Sequence, residues 1–209
     1  MNDFSPLISI AMPLMLPNVD TDAIIPGEEL IQLSKTGLGP GLFASWRYIG
    51  SKKKERVPNP EFVLNNPRYK DAKILLAGPN FACGSSREPA AWALRGWGFR
   101  CLIAPSFGSI FYSNCFKNGL LPIVLPIEKI EKIAAQAEDP KNNPKVSVDL
   151  AACVISTPGG DTFTFGISDF FQMILLDGLN PIEAVLRYQE QIVEFQKSDG
   201  VRRPWIYSA

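Results

Sequence analysis

The sequence of 209 residues contains no histidine. Serine–histidine and cysteine–histidine nucleophile pairs, histidine acid–base chemistry and histidine metal ligation are therefore excluded within this chain. The four cysteines form no C-x-x-C pair, and the spacings of Cys83, Cys101, Cys115 and Cys153 match no zinc or iron–sulfur ligand pattern. We expect reduced thiols and no metal bound by this chain, because no secretion signal is recognisable.

An excess of charge and a long apolar run are also missing. Lys plus Arg number 21, as do Asp plus Glu, so nothing electrostatic favours nucleic acid or an anionic membrane. The short basic run at 52–56 is interpreted as a solvated loop, and no apolar run has the length of a membrane span. We expect a cytoplasmic protein with a single domain over residues 1–209, an irregular tail from about residue 198, and Trp205 as an anchor of that tail.

Alternating strand and helix patterns fill the middle of the chain. The compact apolar run at 73–78 predicts a buried strand, residues 90–95 predict a helix, and residues 99–104 predict a second strand. Strand, helix and strand within about 30 residues are typical of a βαβ unit, so we predict an α/β fold. Further strands are predicted at 7–14, 120–125, 146–150 and 162–165, with a hairpin turn at 157–161, and further helices at 27–35, 110–118, 127–137, 168–176 and 181–196.

The segment from Gly84 to Glu88 carries the clearest functional signal. Ser85 and Glu88 fit a capping box, and Pro89 fits the first turn of the helix that it opens. A helix start also presents free N–H groups and the positive end of a dipole, which attract a carboxylate or a phosphate. Gly84 lets the backbone approach a ligand closely, and the guanidinium of Arg87 matches a carboxylate with two hydrogen bonds. The cap and the anion site therefore share one geometry.

Longer motifs around this segment resemble a known family. Residues 78–88 resemble the signature of the swivelling domain of the aconitase superfamily, and residues 18–26 resemble its N-terminal motif. Residues 36–48 and 103–123 are similar to the small-subunit family of bacterial 3-isopropylmalate dehydratases. The motifs follow one another in order over nearly the whole chain. The resemblance implies an α/β fold with three layers, β/β/α.

The resemblance also implies an enzyme that is divided between two chains. The family's large subunit carries a [4Fe–4S] cluster on three cysteines, and the small subunit closes over that cluster in a heterodimer. The implied reaction is a hydro-lyase reaction in leucine biosynthesis, which isomerises 2-isopropylmalate to 3-isopropylmalate by dehydration and rehydration through 2-isopropylmaleate. A chain of this type is inactive without the large subunit.

Individual roles follow from the matched motifs. The resemblance implies that Ser85 is the base that removes a proton next to a carboxylate, and that Arg87 holds a substrate carboxylate with help from Ser86 and Gly84. A loop at the edge of the site is implied for Asp20, Thr21, Asp22 and Glu29. Side-chain to backbone hydrogen bonds that build a tight loop are the simpler interpretation of the first three residues.

Two positions depart from the family pattern and leave alternatives open. Pro89 stands where the family usually has histidine, and Glu29 stands near a usually aromatic position in a loop associated with substrate choice. A buried carboxylate without a partner is a costly lining for a pocket that binds an isopropyl group, so one interpretation is that Glu29 points to solvent. One alternative is a sister hydro-lyase for a methylmalate, citraconate or dimethylmalate type of diacid, and the other is a non-catalytic carboxylate-binding module. Arg47 and Arg68 are possible carboxylate partners, although ordinary surface charges are the preferred interpretation.

Overall fold

The computed structural model describes residues 4–30, 36–50, 55–84, 87–139 and 145–207. Ser85 and Ser86 lie outside the described residues, as does the second half of the helix that was predicted at 27–35. The strands are β1 (Leu7–Leu14), β2 (Tyr48–Ile49), β3 (Val57–Pro58), β4 (Ile74–Ala77), β5 (Cys101–Ala104), β6 (Leu121–Val124), β7 (Lys145–Asp149), β8 (Val154–Ser156) and β9 (Thr162–Thr164). The helices are α1 (Thr21–Ile24), α2 (Ala44–Arg47), α3 (Glu88–Trp97), α4 (Ser109–Lys117), α5 (Ile127–Glu138), α6 (Asp169–Leu176), α7 (Pro181–Leu186) and α8 (Gln189–Arg202).

Strand β1 lies at the centre of a seven-stranded sheet with the order β6-β5-β4-β1-β7-β8-β9. It pairs in parallel with β4 and antiparallel with β7, so the sheet has a parallel half and an antiparallel half. Helix α3 connects β4 to β5 and α4 connects β5 to β6, which confirms the predicted βαβ arrangement and the α/β class. Because parallel strands end at the same edge of a sheet, the loops that follow β1, β4 and β5 are brought together.

The core lies on both faces of the parallel strands. Every residue of β4 and β5 is buried, as expected for parallel strands covered on two sides. Successive side chains point to opposite faces. Leu75 accordingly packs in the cluster that contains Leu94 of α3, whereas Ile74 and Leu76 pack in the cluster that contains Ile130 of α5. The helices thereby fix the strand ends from which the candidate site is built.

The antiparallel half differs from the prediction by one strand. Residues 157–161 do form a turn, in which Gly160 N–H donates to the carbonyl of Thr157 at 3.0 Å. This turn joins β8 to β9. The sequence patterns predicted β7 and β9 as the two strands of one hairpin, but β8 lies between them in the sheet. With three residues, β8 is too short to show the alternation on which a strand prediction depends.

The C-terminal part also differs from the prediction. One helix was predicted at 181–196 with an irregular tail from about residue 198, but the chain forms α7 and α8, and α8 continues to Arg202. Asp199 explains the longer ordered segment, because its carboxylate accepts hydrogen bonds from the Arg203 guanidinium at 2.7 Å and from the Tyr207 hydroxyl at 3.1 Å. Trp205 is 70% exposed and does not anchor the tail within this chain. No helix among the described residues is long and apolar enough to cross a membrane.

Candidate active site at the carboxyl edge of the parallel strands

The segment Phe81–Gly84, which follows β4, lies against the loop that follows β1. Cys83 N–H donates to the carbonyl of Val19 at 3.3 Å, and the Cys83 carbonyl accepts from Thr21 N–H at 3.2 Å. These two bonds form an isolated parallel bridge between Asp20 and Cys83. The N-terminal motif and the Gly84–Glu88 motif, which the sequence suggested separately, are therefore joined through their backbones.

The other side of the same segment lies against the loop that follows β5. Phe81 N–H donates to the carbonyl of Ser106 at 3.0 Å, and Gly108 N–H donates to the carbonyl of Phe81 at 2.9 Å. A Cβ on Gly108 would lie 2.4 Å from the carbonyl oxygen of Ala82, so this close approach requires glycine. The segment that leads into the Gly84–Glu88 motif is thus held from both sides at the carboxyl edge of the sheet, where open α/β sheets bind ligands.

Helix α3 begins at Glu88, and Arg87 is its N-cap residue with no side-chain cap hydrogen bond. The predicted capping box, with Ser85 as the cap and Glu88 three positions later, is therefore wrong. Pro89 gives the physical reason. A cap at residue 85 would put Pro89 at the fourth helical position, where an N–H must make the first bond of the helix, whereas Pro89 now occupies the first turn and needs no N–H.

The Glu88 carboxylate joins α3 to α4 instead of reaching back to a cap. Its Oε1 accepts from Trp92 Nε1 at 3.3 Å and from Asn118 Nδ2 at 3.2 Å. Asn118 also donates to the carbonyl of Asn114 in the last turn of α4. Glu88 therefore fixes the first turn of α3 relative to its neighbouring helix, which keeps the adjacent Arg87 in place.

Arg87 faces the N-terminal motif. Its Nη1 lies 2.7 Å from Asp22 Oδ1, and the two side chains are 35% and 59% exposed. Asp20 caps the short helix α1 by accepting from Ala23 N–H at 2.7 Å, which is the loop-building role expected from the sequence. Since a guanidinium has five N–H donors, the pair with Asp22 leaves Arg87 with donors for a second carboxylate. Thr21, the neighbour of both aspartates, is buried.

Glu29 does not point to solvent, contrary to one interpretation of the sequence. Its side chain is only 5% exposed, and its Oε1 is hydrogen-bonded to Nη1 of Arg56, which is 13% exposed. Arg56 Nη2 also lies 3.6 Å from Oε2 of the exposed Glu28. The interpretation of Arg56 as part of a solvated loop is therefore wrong, and Lys52–Lys54 of the same basic run lie outside the described residues. The acidic pair at 28–29 with a basic residue downstream was the only sequence signal for this contact.

Arg47 and Arg68 are bound within the fold and do not reach the candidate site. The Arg47 guanidinium donates to Asn65 Oδ1 at 3.1 Å and stacks 4.1 Å from the centre of the Trp97 ring, and burial lowers its pKa. Arg68 Nη2 donates to the carbonyl of Ala137 at 2.7 Å. Neither side chain is the ordinary surface charge that the sequence suggested, and each joins separate segments of the chain.

The cysteines behave as packed side chains. All four are free thiols, and burial raises the pKa of Cys101 and, with a further contribution from Cys101, the pKa of Cys115. Burial and the nearby Asp149 carboxylate raise the pKa of Cys153. Within the described ranges no three His, Cys, Asp or Glu side chains come together as a metal site. Among the described residues, the side chains that the site offers to a ligand are an arginine and carboxylates.

Comparisons with known proteins agree with this geometry. Residues 1–128 match the family described as the aconitase C-terminal domain, which is the class that the fold and the motif at 84–88 define. A crystal structure of 3-isopropylmalate dehydratase from Methanocaldococcus jannaschii is 25% identical, with a TM-score of 0.63 over 92% of this chain and 99% of that chain.

Two curated relatives narrow the class. The 3-isopropylmalate dehydratase small subunit of Cupriavidus necator is 45% identical over 99% of both chains. The protein of the same name from Agrobacterium fabrum is 46% identical over 98% of this chain and 100% of the relative. This chain belongs to the family of 3-isopropylmalate dehydratase small subunits, and the predicted aconitase-type fold is confirmed.

Proposed function

We propose that this chain is the small subunit of a two-chain hydro-lyase that isomerises 2-isopropylmalate to 3-isopropylmalate in leucine biosynthesis. The reaction proceeds by dehydration to 2-isopropylmaleate and rehydration in the other orientation. The observation that carries this proposal is the full-length similarity of 44–46% to relatives with that name. The position of Arg87 beside Asp22, at the edge where the parallel strands end, supports it.

In this proposal Arg87 binds a carboxylate of the substrate. Asp22 holds the guanidinium towards the N-terminal motif before the substrate arrives, as its 2.7 Å contact in the free chain suggests. A fork of parallel N–H donors recognises a carboxylate by two hydrogen bonds, which also orients the neighbouring C–H bond. Gly84, with a positive φ of 86°, and Ser86 are proposed to complete the carboxylate site.

Ser85 is proposed as the base that takes the proton next to the bound carboxylate. It lies outside the described residues, and its role rests on the family motif and on its place between Gly84 and Arg87. A serine hydroxyl is a weak acid, so its alkoxide requires stabilisation. The guanidinium of Arg87 and the free N–H groups at the start of α3 would supply it, and exclusion of water would strengthen both effects.

A [4Fe–4S] cluster is proposed in the large subunit and not in this chain. The cysteines of this chain have no spacing typical of cluster ligands, and the complete burial of Cys101 and Cys115 supports the same proposal. An iron of that cluster, when bound, supplies Lewis-acid chemistry for the hydroxyl of the substrate. This chain's part is to bind and orient the carboxylate, to hold the proton at Ser85 and to exclude water.

The C-terminal segment supports a partner chain. Ten of the seventeen large apolar side chains that are exposed in the described ranges lie within residues 182–207. Val201 is 84% exposed, Trp205 70% and Phe195 58%. Exposed apolar side chains that gather in one part of a chain are typical of sites of protein association, which supports a partner that covers this segment.

The test requires the assembled enzyme. The purified chain is combined with its cognate large subunit, the cluster is reconstituted, and turnover of 2-isopropylmalate, 2-methylmalate and 2,3-dimethylmalate is compared. We expect turnover of 2-isopropylmalate that is lost with Ser85→Ala and kept with Ser113→Ala, whose hydroxyl in α4 donates to the carbonyl of Ser109. A strong preference for a smaller diacid would show that 2-isopropylmalate is not the substrate. No turnover of any diacid by a pair of subunits with a loaded cluster would contradict the enzyme function.

A further inference from the structure

A buried ion pair next to the candidate site takes no part in the reaction proposed above. Glu29 and Arg56 are 27 residues apart in sequence, and their side chains are 5% and 13% exposed. Removing two charges from water is costly, and an apolar pair of similar volume is often as stable. Stability alone therefore does not explain this ion pair, and its position in the fold indicates a second role.

Glu29 belongs to the 3₁₀ turn Gly27–Leu30, and this turn flanks Arg87. A Cβ placed on Gly27 would lie 3.9 Å from Arg87 Nη1, so the guanidinium lies beside the start of the turn, at a distance that an added methyl group would span. Arg56 approaches from another part of the chain, immediately before β3 in the hairpin of β2 and β3. The ion pair thus connects this hairpin to the segment that borders Arg87.

The surroundings of the pair leave the Glu29 side chain little freedom. A Cβ on Gly41 would lie 2.9 Å from both Cβ and Cγ of Glu29, so the side chain lies flat against the backbone there. The Arg56 guanidinium lies over the Tyr48 ring at 5.9 Å and holds Glu28 at 3.6 Å in addition to Glu29. One arginine therefore fixes two successive residues of the turn.

We propose that Arg56 is a positioning residue for substrate binding. Through Glu29, Arg56 holds the turn Gly27–Leu30 beside Arg87. This turn keeps the Arg87 guanidinium aligned with the substrate carboxylate. Loss of either charge breaks the contact that joins Arg56 to the turn, and we expect the turn to be displaced. The inference rests on the proposed function, since it assigns Arg87 to the substrate carboxylate.

The experiment uses Arg56→Gln, Glu29→Gln and the double variant in the enzyme assembled with the large subunit. We expect each single variant to raise KM for 2-isopropylmalate by about 10-fold or more, because a displacement near 1 Å is enough for such a loss. The value of kcat should change by less than about 3-fold, since a carboxylate contact made equally in ground and transition states affects KM alone. The loss of substrate binding in the double variant, expressed as a free energy from KM, should be smaller than the sum of the losses in the two single variants, because the double variant removes both charges.

A matched control and a second readout separate positioning from general stability. Lys132→Gln breaks an exposed ion pair, in which Lys132 Nζ lies 2.8 Å from Asp161 Oδ1 and which joins α5 to the turn between β8 and β9. It should leave KM unchanged. Amide hydrogen exchange of the isolated chain should rise at residues 23–30 in Arg56→Gln, while the strands β4 and β5 keep their protection.

Several results would overturn the inference. Wild-type KM and wild-type exchange at residues 23–30 in Arg56→Gln would do so, and so would a rise in exchange over the whole chain together with a loss of kcat, which indicates a general structural role. If the wild-type pair turns over no diacid, the proposed function fails separately, and the exchange experiment on the isolated chain then decides whether Arg56 positions the turn.

Discussion

Replacing Gly108 by alanine tests whether the candidate site depends on the close approach of two loops. The new Cβ would lie 2.4 Å from the carbonyl oxygen of Ala82, 3.2 Å from its carbon and 3.4 Å from the Cα of Cys83. All three atoms belong to the backbone, so no flexible side chain can move aside. An ordinary contact begins near 3.4 Å, and the two segments must therefore separate by about 1 Å.

This separation has a cost in stability and a cost in activity. It strains the bond from Gly108 N–H to the carbonyl of Phe81, now 2.9 Å long. Overpacking of this kind costs about 1–3 kcal/mol. For a chain of this size each kcal/mol lowers the Tm by about 2–4 °C, so the expected decrease is about 2–12 °C. Since the displaced segment leads directly to Ser85, a shift near 1 Å should lower kcat/KM by about 100-fold.

Two measurements check this prediction. Thermal unfolding of the isolated chain, followed by circular dichroism, gives the Tm, and isomerisation of 2-isopropylmalate by the assembled enzyme gives kcat/KM. Gly166→Ala is the control, because a Cβ at Gly166 meets no atom of the described residues within 4 Å. A Gly108→Ala variant with the Tm and activity of the control would refute the reasoning. A lower Tm with full activity would show that the loops separate without moving the site.

Two further predictions concern the thiols and the C-terminal segment. Cys101 and Cys115 should resist iodoacetamide in the native chain at pH 8 and react only after unfolding, because burial raises their pKa. Mass spectrometry of the labelled peptides measures this reaction, and labelling of either thiol in the native chain would contradict the prediction. Asp199→Asn should speed tryptic cleavage after Arg202, because it removes the negative charge and one of the two acceptor oxygens that hold Arg203. Hydrogen bonds from Arg203 lower the pKa of Asp199 below its ordinary 3.8. The stability that this interaction adds to the C-terminal segment is therefore complete above about pH 4 and is lost as the pH falls through the lowered pKa. Near-UV circular dichroism can follow this loss.

The parallel half of the fold could be predicted because its information is local. The apolar runs of β4 and β5 are continuous, since both faces of these strands are covered, and helix α3 between them has its own apolar side. The end of α3 could also be predicted, because a glycine such as Gly98 is typical of a helix end. In the structure Gly98 adopts a positive φ of 125° there. Where a pattern and its stop signal lie within about ten residues, no knowledge of the partners is needed.

Contacts between distant segments could not be predicted in the same way. Glu29 was recognised as unusual, but the sequence does not show which of the basic residues downstream would pair with it, and Arg56 stood in a run that suggested a solvated loop. The helix start failed for a different reason. The serine and glutamate spacing fits a capping box in general, and only the position of Pro89 decides that the helix begins at Glu88.

The meeting of the two functional motifs depends on one fact that the pattern of β1 leaves open. A strand can pair with parallel or with antiparallel neighbours, and β1 has one of each, β4 and β7. Only the parallel pair with β4, in which Leu14 lies opposite Ala77, sends both chains out at the same edge. Asp22 and Arg87 then come within 2.7 Å although 65 positions separate them. The sequence could therefore supply the residues of the site, whereas their contact is a consequence of strand order.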